Sequence, residues 1–405
     1  MIRIKPGIEF TGHCPRCEGE LAARDVLWQG IHICAISKCG SCGAEIIADL
    51  PVGQALFTPY RIDLEKGLLS GDEGHCYWFG APLLKSLQYP DHDQDIPLNV
   101  EKYRDSSRVI ILNCIDFLYG HSLLKLLNAD AHLRENPDLG LVVIVPRYLR
   151  WMVPEGVVEV WTVNVPLTRA QNFFPRLDQL IHAECERFDE VFVSPSHSHP
   201  RDFDISRFTG VKRHDFNGQQ FRITFIWRED RPWIAQRLWV RIGRRLPAVK
   251  RLLMVWQNFK ITKLFSAIRP HFPAVEFTVA GLGTATSFPA WIDDQRVNAY
   301  DDEKEQQLCR IYSASRLVIG VHGSNMLLPS AHAGMTINLM PDDRWPNMVQ
   351  DMLYQESDSR MAAYRYRYLP LRGNLSTLAL IAIRQISGWE WFGNAMADSK
   401  EACDR

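Results

Sequence analysis

Two pairs of cysteines near the amino terminus, Cys14-Pro15-Arg16-Cys17 and Cys39-Gly40-Ser41-Cys42, form C-x-x-C turns with residues 18 to 38 between them. Zinc takes four thiolates in a tetrahedron at about 2.3 Å, and two such turns supply two ligands each. Gly19 and Gly43, just past the pairs, let the backbone fold back so that amide N–H groups reach the sulfurs. A closed set of four thiolates leaves no position for substrate. The expected cofactor is therefore a structural zinc that folds a segment too small to hold a core of its own. Cys34 lies between the pairs and could replace one ligand; a disulfide network or an iron centre is the competing account of the cluster. Arg16, Arg24 and Lys38 are matched by Glu18, Glu20, Asp25 and Glu45, so no specific nucleic-acid surface is expected and a structural or docking role remains.

A second group occupies residues 316 to 341, RLVIGVHGSNMLLPSAHAGMTINLMP. The pattern predicts a buried strand ending at Val321, a turn His322-Gly323-Ser324-Asn325, a helix from about Ser324, and a new strand after Gly334. In an open parallel sheet ligands sit beyond the carboxyl ends of the strands, where a helix N-terminus offers free N–H groups to a phosphate. Taken alone, this arrangement is ordinary structure as often as a site. Arg228 and Arg231 follow another apolar strand, FRITFIW (221 to 227), on the same edge, and a guanidinium fork holds phosphate oxygens bidentately. The competing reading pairs them with Glu229, Asp230 or another surface acid. In the first half, Asp116 and His121 close one strand and open a helix, where either could act as a general base or as an ordinary cap or core residue. His197 and His199, after the strand EVFVSP (190 to 195), are second-choice acceptor contacts. Asp91-His92-Asp93-Gln94-Asp95 and Asp202-Phe203-Asp204 have the spacing of a cation site, but the first lies between prolines and the second well past its strand. No catalytic metal is expected.

VIGVHGSNMLLP, followed by a small-residue turn and an apolar strand, resembles the donor-site segment of family-61 glycosyltransferases, a GT-B group. That family's pattern runs apolar strand, Gly-x-His-Gly-Ala-Gly, short helix, Pro-Gly and strand. The match covers about 25 residues, and Ser324-Asn325 stands where the family has Ala-Gly. The resemblance implies a nucleotide-sugar donor at His322, Gly323 and Ser324, and an acceptor (glycan, lipid-linked or protein) on the N-terminal half. Arg228 also looks like the phosphate-binding arginine of fucosyltransferase-like GT-B enzymes.

The elements that must position these groups are legible in outline. From residue 108 onward, apolar runs of five to seven residues alternate with amphipathic stretches, the pattern of parallel strands and crossover helices. The expected fold is α/β, with two Rossmann-like doubly wound domains of GT-B type preceded by a small zinc ribbon. The ribbon is placed at 1–50, an irregular, proline-rich connector at 51–105, an acceptor domain at 106–220, a donor domain at 221–373, and a C-terminal helix and tail at 374–405. The chain has 405 residues, enough for two or three domains, and its 46 Lys and Arg against 47 Asp and Glu give no global attraction to a polyanion. The N-terminal residues lack an apolar export segment and no apolar run reaches the length of a membrane span, so a cytoplasmic protein is expected.

Residues 231 to 275 break the balance, with Arg231, Arg237, Arg241, Arg244, Arg245, Lys250, Arg251, Lys260, Lys263 and Arg269 but no acid. Trp233, Trp239 and Trp256 interleave with them, and Pro247 divides the stretch into two expected helices. Such helices suit peripheral contact with the inner face of an anionic membrane through 231–269, or simply cover the domain with their apolar faces. The functional expectation is a metal-independent glycosyltransferase. The alternative is a noncatalytic adaptor whose ribbon binds protein or nucleic acid on a degraded enzyme scaffold.

Overall fold

The computed structural model describes residues 1–92, 96–197, 200, 202–218, 220–348, 351 and 358–403. The chain divides after Asp204 into two units, earlier than the break expected at 220.

The first unit begins with β1 (Ile2–Lys5), β2 (Leu21–Gln29), β3 (His32–Cys39), β4 (Glu45–Asp49), β5 (Arg61–Asp63), β6 (Leu68–Ser70), α1 (Glu73–His75), α2 (Ala81–Gln88) and β7 (Leu98–Lys102). It continues with β8 (Arg108–Asn113), α3 (Tyr119–Leu127), α4 (Ala129–Glu135), β9 (Gly140–Pro146), β10 (Glu159–Val163), α5 (Pro175–Cys185) and β11 (Glu190–Val193). Four strands are parallel in the order β11-β8-β9-β10, and β1 and β7 add to the two edges antiparallel. The central strands read as continuous apolar runs because both their faces are covered.

Strands β2 to β6 form a separate antiparallel sheet. Its alternation puts Val26, Trp28, Ile33 and Ala35 into one core with Val109, Ile111, Val142, Ile144 and Trp161 of the parallel sheet. The other face sets Leu27, Cys34, Ile47 and Ile62 against Leu83 and Leu87 of α2. The cysteine segment is thus a layer of the first unit and does not stop at residue 50. The stretch read as an irregular connector extends this sheet with β5 and β6 and supplies the edge strand β7. Its strands are only three to five residues long, and its prolines fall between them.

The second unit holds α6 (Ser206–Thr209), β12 (Arg222–Arg228), α7 (Arg237–Arg245), α8 (Pro247–Ile268), β13 (Glu276–Leu282), β14 (Ile292–Val297), α9 (Asp302–Ala314), β15 (Ser315–Val321), α10 (Leu327–His332) and β16 (Met335–Met340). It ends with α11 (Ser359–Arg365), β17 (Tyr366–Pro370), α12 (Leu375–Ser387) and α13 (Trp389–Cys403). All six strands are parallel in the order β14-β13-β12-β15-β16-β17. Numbered within the unit this order is 3-2-1-4-5-6, so the direction of winding reverses between β12 and β15. On one face Phe225, Val279, Ile319 and Ile337 pack against Ile261, Leu264, Phe265 and Ile268 of α8 and Leu378 and Ala382 of α12. α9, with Leu308, Cys309, Ile311 and Tyr312 buried, lies against β12, β13 and β15. Pro247 opens α8 at its first turn, as the sequence pattern predicts.

Candidate functional site

At the reversal point of the second sheet, β12 delivers Arg228 and β15 delivers the turn at His322 to the same carboxyl edge. Arg228 Nη1 donates to Asn325 Oδ1 at 2.6 Å, and Arg231 Nη1 donates to the carbonyl of His322 at 3.2 Å. Gly323 lies between them with φ +152°, and a Cβ there would stand 2.8 Å from Arg231 Nη1 and 3.1 Å from Arg228 Nη1. Only glycine lets the turn pass beneath the two guanidiniums. All six residues expected at this edge, Arg228, Arg231, His322, Gly323, Ser324 and Asn325, fall within one turn-and-loop pair. The helix after the turn is weaker than the sequence suggests. A single 3-10 turn, Ser324–Met326, leads into the six residues of α10, so little helix dipole faces the site and the arginines supply most of its positive charge.

The pairing of Arg228 with an acid is also real. Asp230 accepts from Arg228 Nε at 2.8 Å and from its Nη2, while Glu229 pairs with Lys250 at 3.0 Å. Arg231 has no such partner among the described residues. Burial, then the charges of Arg228 and Arg344, pull it below the usual guanidinium value. It lines a pocket of about 250 Å³ together with Arg237, Arg241, Arg244, Arg344 and Arg372. Asp343 pairs with Arg237 and Asp342 with Arg372, which leaves Arg231, Arg241, Arg244 and Arg344 without a close ion pair among the described residues, although Asp230 and Asp343 act on Arg231 from farther away. A crowd of cations with too few acids is chemistry for a multiply charged anion.

The site is braced from behind by residues that sequence reasoning missed. Gln257 of α8, 1 % exposed, donates to the Arg228 carbonyl at 3.1 Å and accepts from Trp233 N at 2.5 Å, holding the loop after β12. His322 Nδ1 lies 3.1 Å from Asn338 Oδ1, and Asn338 Nδ2 donates to Asp351 at 3.2 Å. Ser330 and Tyr368 donate to the same carboxylate. Because the amide nitrogen of Asn338 is spent on Asp351, its oxygen faces the imidazole and accepts from Nδ1–H. A polar residue inside the apolar run MTINLM was the one available signal for Asn338; Asp351 had none.

In the first unit, the carboxyl ends of β8 and β11 carry the other candidates. Asp116 is fully buried and pairs with Lys125 Nζ at 2.9 Å, with Leu118 N donating to it at 3.1 Å. Burial opposes its charge, but Lys125 and then His121 outweigh that and hold the carboxyl below its ordinary value. His121, 24 % exposed, lies 3.7 Å from Asp116, and Gln54 Nε2 is 2.9 Å from its Nδ1 and 3.4 Å from Asp116 Oδ2. Of the two, His121 is the one that solvent reaches. Gln54 and Lys125 were not foreseen. His197 stacks edge-on with Phe57 at 5.5 Å, and its carbonyl accepts from Asn128 Nδ2. His199 lies outside the described residues, as do Asp93 and Asp95.

The four cysteines Cys14, Cys17, Cys39 and Cys42 converge, with their sulfurs all within 4.8 Å of one another. The pairs Cys14–Cys42 and Cys17–Cys39 stand 3.7 and 3.5 Å apart, close to the edge of about 3.8 Å that a tetrahedron of 2.3 Å metal–sulfur bonds requires. Arg16 N donates to Cys14 Sγ, while Cys42 N donates to Cys39 Sγ. N–H groups of Cys42 and Ser41 help to bring Cys39 down to about 6. This set could hold one metal ion and is compatible with structural zinc. Cys34 stands apart from it, buried in β3 with its thiol donating to Asp49 and pushed well up by burial. No family model matches the chain, and no curated protein matches it.

Proposed function

We propose that the protein is a glycosyltransferase that takes its sugar from a nucleotide-sugar donor held at the carboxyl edge of the second sheet, in a pair of Rossmann-like units of GT-B type. The observation that carries this reading is the convergence of Arg228 and Arg231 over Gly323, beside a pocket with four arginines that make no close ion pair among the described residues. A donor diphosphate suits such a site in size and charge. In the reaction an acceptor hydroxyl oxygen forms a bond to the anomeric carbon while the bond from that carbon to the diphosphate oxygen breaks. The electron pair leaves with the diphosphate. Arg228 and Arg231 meet the charge that develops there, the work a divalent cation would otherwise do. The turn His322-Gly323-Ser324-Asn325 would receive the donor beneath the two guanidiniums. The acceptor proton passes to a base, for which His121 and Asp116 are the candidates in the first unit; His121, held at Nδ1 by Gln54 Nε2, is the one of the two that solvent reaches.

In this reading the four cysteines hold structural zinc, and the metal's chemistry there is to fix the end of the antiparallel sheet. The test is release of nucleoside diphosphate from a panel of nucleotide sugars, with chelator present, by the wild type and Arg228→Ala. Release from at least one donor, reduced in the variant, supports the proposal. Release from none, with no nucleoside diphosphate binding, refutes it.

A further inference from the structure

We propose that the outer face of α7 and α8 docks the protein on an anionic lipid bilayer. α8 is apolar on two opposite sides. Met254, Ile261, Leu264, Phe265 and Ile268 are buried against the sheet, while Leu252, Val255, Trp256 and Phe259 stand 48 % to 68 % exposed on the other side. Their spacing of i, i+3, i+4 and i+7 makes one continuous stripe. Trp256 stacks on Phe259, and Lys263 lies over that ring at 5.6 Å. A helix that only covered its own domain would show polar groups here.

α7 repeats the division. Arg237, Val240, Arg241 and Arg244 face the arginine-lined pocket, and Leu238 and Trp239 lie exposed on the other side, followed by Leu246 at the junction with α8. The ten cations of this segment therefore do different work. Lys260 is tucked under, 3.9 Å over the Trp233 ring and donating to its carbonyl, and Arg237 and Lys250 pair with acids. Arg245, Arg251 and Lys263 remain around the apolar stripe as exposed cations.

Charge complementarity selects the occupant. An apolar outer face bearing one exposed tryptophan on each helix, Trp239 and Trp256, edged by lysine and arginine and free of acids from 231 to 275, matches the headgroup and upper acyl region of an anionic bilayer. Among the described residues no helix is long and apolar enough to cross a membrane, so this face would lie on the surface. The inference rests on these two helices and not on the sugar-transfer reading.

The test is cosedimentation of the full chain with phosphatidylglycerol-containing and pure phosphatidylcholine vesicles at low and high salt. The wild type should bind the anionic vesicles at low salt and lose about tenfold or more of that affinity on neutral vesicles or at high salt. Leu252→Glu with Trp256→Glu should abolish binding, and Arg245→Glu with Arg251→Glu should weaken it. Arg310→Glu, a charge reversal on α9 and so away from α7 and α8, should change it little. Circular dichroism and an unchanged melting temperature confirm that each variant is folded. Failure of the wild type to bind anionic vesicles at low salt overturns the proposal. So does a dimer in sedimentation equilibrium that Leu252→Glu with Trp256→Glu converts to monomer, since a second copy would then own the face. Loss of donor hydrolysis with vesicle binding intact would count against the sugar-transfer reading alone.

Discussion

Arg228 Nη1 donates to Asn325 Oδ1 at 2.6 Å, tying the end of β12 to the turn after β15. Asn325 is one of the two positions at which the turn departs from the glycosyltransferase pattern it resembles, and here its side chain steers the arginine. Arg228→Ala should cost about 1.5–3 kcal/mol of nucleoside-diphosphate binding, the worth of a charge-assisted hydrogen bond. Arg228→Lys should recover part of that loss, because a point charge replaces a fork. Asn325→Ala should give a smaller loss, since the charge remains but its aim does not. Isothermal titration of the three variants orders them.

The cysteine cluster should retain one zinc per chain after purification without added metal. Cys39→Ser with Cys42→Ser should remove it. Hydrogen exchange should then rise over residues 10–22 and 38–46, where the small core of Cys14, Leu21, Cys39, Ala44 and Ile46 depends on the knuckles. β8 should stay protected, because Trp28 and Ile33 remain locked to Val109 and Ile111 in the larger core. Metal analysis with exchange mass spectrometry reads both effects.

Lys125→Met should destabilise the first unit by about 3–5 kcal/mol, because it removes the buried cation nearest Asp116 and leaves its charge only the more distant His121 and two hydrogen-bond donors. Adding Asp116→Leu should restore much of that stability. If Asp116 also orients His121 in catalysis, the double variant will be stable and slow, whereas a purely structural pair will leave turnover near that of the wild type. Urea unfolding and turnover measured together separate the two.

Burial pulls His132 from its usual 6.5 to about 4, with the amino terminus adding a smaller push, while its Nε2 lies 2.7 Å from Ser194 Oγ. Between those values the unfolded chain binds a proton that the folded one does not. Stability should therefore fall as pH drops from about 6.5 to about 4. His132→Gln should flatten that slope while keeping a partner for Ser194. Denaturant unfolding at about pH 7 and about pH 4.5 checks the sign.

The strands were legible where burial on both faces made them continuous apolar runs, as in β8, β9, β12 and β15. β14, whose IDDQRV is an edge strand with a polar outer side, could not be read that way. The role of the cysteine segment was half legible. Ligand spacing is local and could be read, whereas the packing of Val26 and Trp28 on the parallel sheet is a long-range fact that alternation alone does not announce. The six residues at the carboxyl edge of the second sheet could be placed together because a turn after an apolar strand is a local pattern. Gln257, Asp351, Lys125 and Gln54 were not found, since each reaches its partner from a distant part of the chain. The basic stretch at 231–275 read as one surface, but helical geometry sorts Arg237, Arg241 and Arg244 toward a pocket and Leu252, Val255 and Trp256 outward.

The most direct measurement is titration of the chain with UDP, GDP, CDP, ADP and dTDP, comparing wild type with Arg228→Ala plus Arg231→Ala. At least one nucleoside diphosphate should bind the wild type, and that binding should fall about a hundredfold or more in the double variant while its melting temperature stays near that of the wild type. Absence of binding by every nucleoside diphosphate, or equal binding by the double variant, would contradict a donor site at the carboxyl edge of the second sheet.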